Sequence, residues 1–117
     1  GRVIGAAIEV HRALGPGLLE SAYQACLMRE LDVRGIPYRK QVAVDIEYKG
    51  ILVEDAYKLD LLVADRVIVE LKAVERIEPV FEAQLMMYLR LTGHWLGLLI
   101  NFNVPVLKDG IRRRVLG

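Results

Sequence analysis

Glu70 and Lys72 stand two residues apart in the run Val67-Ile68-Val69-Glu70-Leu71-Lys72. On a strand, that spacing sends both side chains to one face of the sheet. The run is nearly continuous in apolar residues, which marks a central strand, and charges are expensive there unless each has a partner. The end of this strand is therefore expected to open into a cleft holding a counter-charge, and a divalent metal ion would supply it. Asp60 lies in the preceding apolar run Leu59-Asp60-Leu61-Leu62-Val63, and a hairpin can bring it beside Glu70. Two carboxylates held close on rigid strands repel each other, and bound Mg²⁺ is a common reason to keep both ionised. Glu20, near the start of a helix and one turn before Tyr23, is the candidate third acid. The plainer alternative is a structural ion-pair cluster of Asp60, Glu70 and Lys72 at a sheet end.

The hairpin carries a geometric expectation. Asp60 can face Glu70 directly only if the loop between their strands has an odd number of residues, so a turn centred on Asp65 is expected, Ala64-Asp65-Arg66 with a bulge. A two-residue turn would set Asp60 opposite Leu71, on the wrong face.

The elements that must position these groups follow from periodicity. Ile4, Ala7, Ile8, His11 and Leu14 have helical spacing, and Gly15-Pro16-Gly17 breaks that helix. A second helix runs to about Arg34, burying Leu19, Ala22, Tyr23, Cys26, Leu27 and Leu31, with Gly35 as its cap. Val42, Val44, Ile46 and Tyr48 alternate with polar or small residues as a strand, Lys49-Gly50 turns, and Ile51 to Ala64 and Val67 to Lys72 supply two more strands. Pro79 opens a helix that Gly93 ends. Trp95 to Ile100 reads as a buried strand, and Ile111 to Leu116 as an edge strand after the Lys108-Asp109-Gly110 turn. The order helix, helix, three strands, helix, two strands is that of an α/β fold. Nothing marks an internal repeat or linker, so residues 1–117 are expected to form a single domain.

Composition narrows the function classes. Apolar residues make up 54% of the 117 and charged residues 26%, a folded composition with no apolar run approaching the roughly 20 residues of a membrane-spanning helix. The single cysteine, Cys26, excludes a disulfide framework or a thiolate zinc site. With neither a basic n-region nor a cleavage site after Gly1, a cytoplasmic location is the expectation. A net charge of +1 argues against holding nucleic acid by bulk charge, leaving local patches such as Arg112-Arg113-Arg114.

The spacing Asp60-x9-Glu70-x-Lys72 resembles the signature of the PD-(D/E)XK nuclease superfamily, although Leu59 and not a proline precedes the first acid. Gly17-Leu18-Leu19-Glu20-Ser21-Ala22-Tyr23 is similar to the motif that names the GxxExxY family within it. Gln84-Leu85-Met86-Met87-Tyr88 resembles the Q-x-x-x-Y helix motif of RecB-like exonuclease domains, and Leu98-Leu99-Ile100-Asn101-Phe102 is also similar to the GxxExxY family. The resemblance implies a restriction-endonuclease-like core with a central mixed sheet of about four to five strands flanked by helices. It implies a phosphodiesterase in which Asp60 and Glu70 bind Mg²⁺, with Mn²⁺ substituting, while Glu20 completes or flanks the metal shell and Lys72 orients or activates the attacking water. DNA is the expected substrate. Gln84 and Tyr88, one turn apart on one helix face, are expected to touch the active site or a bound strand. Tyr23 is a candidate to orient Glu20 through its hydroxyl, and His11 is a candidate supporting residue on an apolar stripe where a core histidine is the commoner reading. The alternatives are a catalytically silent module that binds nucleic acid or protein, a homo-oligomer, or a subunit of a larger nuclease assembly.

Overall fold

A computed structural model describes all 117 residues. Helix α1 spans Arg2–Leu14 and α2 Glu20–Val33; strands β1 (Tyr38–Tyr48), β2 (Ile51–Val63) and β3 (Val67–Lys72) follow, then α3 (Pro79–Thr92), β4 (Leu96–Asn101) and β5 (Ile111–Val115). The five strands form one mixed sheet in sequence order, in which β3 and β4 run parallel and every other neighbour is antiparallel. Only the parallel pair needs a crossover, and α3 provides it.

Helices cover both faces. On one side α1 and α2 pack Val3, Ala6, Ala7, Val10, Tyr23, Leu27 and Leu31 against Leu61, Val63, Val69, Leu71, Leu98 and Ile100 of the sheet. On the other, α3 packs Leu85, Tyr88 and Leu89 against Leu59, Leu62, Ile68 and Leu99. This is the α/β arrangement expected from the order of elements, with the helix-flanked, five-stranded mixed sheet that the resemblance implies. Pro79 sits in the first turn of α3, where its missing N–H costs nothing, and Gly93 ends the helix in the left-handed conformation at φ 77°.

Two expected faces need correction. In α1 the buried stripe is Val3, Ala6, Ala7, Val10 and His11, whereas Ile8 and Leu14 are 45% and 40% exposed. Arg2, Glu9 and Arg12 mark the solvent side of this helix, and within the broad apolar arc opposite them the small Ala6 and Ala7 allow the closest approach to the layer below, leaving Ile8 at the edge of that arc and Leu14 at the helix end. Leu19 precedes the first turn of α2 and is 77% exposed instead of buried. Strand β4 starts at Leu96, leaving Trp95 on the surface.

Strand β2 outruns its partner. It pairs with β1 along most of its length but with β3 only from Leu61 to Val63. The outer halves of β1 and β2 therefore project as a two-stranded ribbon, and the ladder between β2 and β3 ends where Asp60 and Glu70 stand.

Candidate active site

The hairpin between β2 and β3 has the expected odd loop. Val63 pairs with Val67, Leu62 with Ile68 and Leu61 with Val69, so the next opposed positions are Asp60 and Glu70. Ala64 and Asp65 both have positive φ, 53° and 55°, and the Arg66 amide donates to the Val63 carbonyl at 3.0 Å. That is a type I′ turn with Arg66 as the additional residue.

At Asp60 the strand departs from simple alternation. Leu59 and Leu62 both join the α3-side core, while Leu61 joins the opposite one. Side chains take over the missing ladder: the Leu71 amide donates to Asp60 Oδ2 at 2.8 Å, and the Asp60 amide donates to Glu70 Oε1 at 3.3 Å. Each carboxylate is thereby oriented through one oxygen, leaving Asp60 Oδ1 and Glu70 Oε2 free of those bonds.

Burial makes this pair electrostatically costly. Glu70 is 8% exposed. Desolvation first, and then the neighbouring charge of Asp60, push its pKa up to about 9, against smaller opposing pulls from the Asp60 amide hydrogen bond and then from Lys72. Glu20, the first residue of α2, is shifted upward too, by burial and then by Asp60, with Lys72 opposing. The helix, the hairpin and the central strand thus bring Glu20, Asp60, Glu70 and Lys72 into one electrostatic neighbourhood.

Lys72 does not neutralise its acids by contact. Its Nζ lies 4.5 Å from the centroid of the Phe81 ring, a cation–π placement on the first turn of α3. The five ion pairs of the molecule all lie elsewhere. The structural ion-pair cluster weighed from sequence is therefore not formed.

No three Asp, Glu, His or Cys side chains are gathered into a ready-made metal-ligating group. The donor set nonetheless fits a hard divalent cation. The buried Glu70 and the half-buried Asp60 each present an oxygen, a third acid stands within electrostatic range, and no soft ligand is nearby.

The supporting residues divide. Tyr88 is nearly buried, and burial followed by the charges of Glu70 and Asp60 raises its pKa, which places it beside the acids. Gln84, one turn earlier on α3, is half-buried. Tyr23 does not reach Glu20: its hydroxyl donates to the Gly15 carbonyl at 2.6 Å and accepts from the Leu18 amide at 3.1 Å, clamping the loop ahead of α2. His11 Nε2 lies 2.7 Å from the Val104 carbonyl. A carbonyl only accepts, so that nitrogen carries a proton and is not a metal donor. The Tyr23 hydroxyl is spent on the backbone, and His11 ties α1 to the Val104 carbonyl through Nε2.

Sequence reasoning passes over Tyr57. It stacks on Tyr88 with ring centroids 4.2 Å apart and an interplanar angle of 16°, and its hydroxyl is buried without a partner. Burial, then Tyr88 and Glu70, raise its pKa to about 12. A tyrosine in a β-strand reads as ordinary core, and only the bend at Asp60 turns it toward the acids.

A family model described as the PD-(D/E)XK nuclease superfamily matches residues 1–114. No curated protein and no solved structure matches the chain. With the match covering nearly every residue, the chain belongs to the PD-(D/E)XK nuclease superfamily.

Proposed function

We propose that this chain is a divalent-metal-dependent nuclease of the GxxExxY type, with a RecB-like α3, that hydrolyses phosphodiester bonds of DNA as one domain. Members of the superfamily are usually nucleases and generally use divalent metals. One observation carries the reading: Asp60 and Glu70 are fixed through one oxygen each at the open end of the β2–β3 ladder, with no ion pair to offset them. A buried carboxylate without a counter-ion costs roughly several kcal/mol, so Glu70 keeps a proton in the absence of a cation, and a bound divalent ion would take that proton's place.

In this reading Asp60 and Glu70 hold Mg²⁺, Mn²⁺ substitutes, and Glu20 flanks the shell from α2. The bound cation supplies charge neutralisation on the phosphate and a lowered pKa for water. The residues do the rest. Hydrolysis forms a bond from water oxygen to phosphorus and breaks the bond to the leaving oxygen, and negative charge grows on the phosphoryl oxygens between them. The Lys72 ammonium, held over Phe81 and free of any ion pair, stabilises that charge and orients the water. Gln84 and Tyr88 line the α3 side, where a bound strand passes.

Incubation of the purified protein with labelled single-stranded, duplex and branched DNA, with Mg²⁺ or Mn²⁺ and with EDTA, tests the proposal. Cleavage that EDTA abolishes and Asp60→Asn removes is expected. A folded protein that binds Mn²⁺ and cuts none of these substrates would refute it.

A further inference from the structure

Asn101, at the last position of β4, is 1% exposed, and both the oxygen and the nitrogen of its carboxamide are hydrogen-bonded. Its Oδ1 accepts from the Val74 amide at 3.0 Å and the Asn103 amide at 3.2 Å, while its Nδ2 donates to the Val74 carbonyl at 2.9 Å. Asn103 Nδ2 donates to the same carbonyl at 3.3 Å. Val74 is two residues past Lys72, and Asn101 is Lys72's own partner in the parallel ladder. The next residue, Phe102, donates its amide to the Lys72 carbonyl at 2.9 Å. The chain leaving β3 has no further strand to pair with, and these side-chain bonds hold it in place of a ladder. A buried network with every member satisfied is rigid.

The same segment reaches the other half of the site. The Phe102 ring stacks on Tyr23 with centroids 4.5 Å apart and planes 9° from parallel. Tyr23 in turn clamps Gly15 and Leu18 just ahead of Glu20. Two residues on, the Val104 carbonyl takes the His11 contact that ties in α1. From below, Gly110 closes on the Asn101 backbone so tightly that a Cβ there would overlap the Asn101 carbonyl oxygen.

We propose that Asn101 is a positioning residue that fixes Lys72 relative to Glu20, by tying the exit of β3 to the segment that also braces α2. The placement rests on these contacts, and its catalytic consequence rests on the nuclease reading above.

Reductive ¹³C-methylation followed by NMR reads the placement directly. The Lys72 dimethylammonium signal, assigned by its loss in Lys72→Arg, is displaced by the ring current of Phe81. In Asn101→Ala, or Asn101→Ser if the alanine variant does not fold, it is expected to move toward the signal of the exposed Lys108, with the Trp95 indole resonance unchanged. In the nuclease assay kcat should fall about tenfold or more while KM changes less than about threefold. Added to Lys72→Met, the Asn101 substitution should change kcat by less than about twofold, because its effect travels through Lys72. A folded variant whose Lys72 signal stays displaced overturns the inference whether or not the protein cuts DNA. So do rate losses that add in the double variant. If the wild type cuts nothing but the Asn101 variant releases the Lys72 signal, the placement stands and the nuclease reading alone falls.

Discussion

Asp60 and Glu70 meet across a strand pair that has stopped pairing: the Leu71 amide donates to Asp60 at 2.8 Å, and the Asp60 amide donates to Glu70 at 3.3 Å. The opening of the ladder and the orientation of the acids are one event. Backbone amides that would be orphaned at the fork are satisfied by the carboxylates, and the carboxylates are aimed by the amides.

Stability should fall as pH rises. The Glu70 pKa in the folded protein, about 9, lies above the ordinary glutamate value of 4.5, so between those values the folded state keeps a proton that the unfolded chain has released. Unfolding free energy then decreases with pH across that window, with the contribution present below it and lost above it. Urea unfolding in EDTA across the window should show this slope for the wild type and a flatter one for Glu70→Gln. Identical slopes in both would contradict the burial argument.

A divalent cation should reverse the trend. Mg²⁺ or Mn²⁺ competes with the proton on the buried pair, so the rise in Tm on adding either ion should grow with pH, and Zn²⁺ should not be required. Calorimetry on the wild type, Asp60→Asn and Glu70→Gln checks the assignment. Equal Mn²⁺ binding in all three would remove these residues from the metal site.

Tyr57 offers a test independent of metal. Its hydroxyl is the molecule's one buried side-chain polar atom without a hydrogen-bond partner, and such a group costs about 1–3 kcal/mol. Tyr57→Phe keeps the stack on Tyr88 and removes the orphan, so Tm should rise by a few degrees. A lower Tm would show that the hydroxyl has a stabilising partner in solution.

The strands were legible because their patterns are strict. Alternation and the nearly apolar run before Glu70 mark the strands, and the odd loop around Asp65 follows from requiring Asp60 and Glu70 to meet, whereas the break in alternation at Asp60 is not in the pattern. Faces were less legible where the apolar arc of an element is broad, as in α1, where Ile8 is exposed and Ala6 is buried. Tyr57 went unread, and Asn101 was read only as part of a family-like stretch, for another reason: their roles depend on where the chain bends or leaves the sheet, at Asp60 and Val74. A lone asparagine ending the apolar run Leu98-Leu99-Ile100 was the available signal for Asn101, since a polar group buried there must find partners.

Lys72 carries the most direct test of the account. In the nuclease reading it acts on the water and the developing charge while leaving the carboxylates intact, so chemistry should fail before binding does. Single-turnover cleavage of labelled DNA, measured with Mn²⁺ affinity on the same preparations of wild type and Lys72→Met, separates the two. The rate should drop about a hundredfold or more, the scale for losing a positioned charge-stabilising group, with Mn²⁺ affinity unchanged or higher because a neighbouring cation is gone. A Lys72→Met protein that cuts as fast as the wild type, with the same metal dependence, would contradict it.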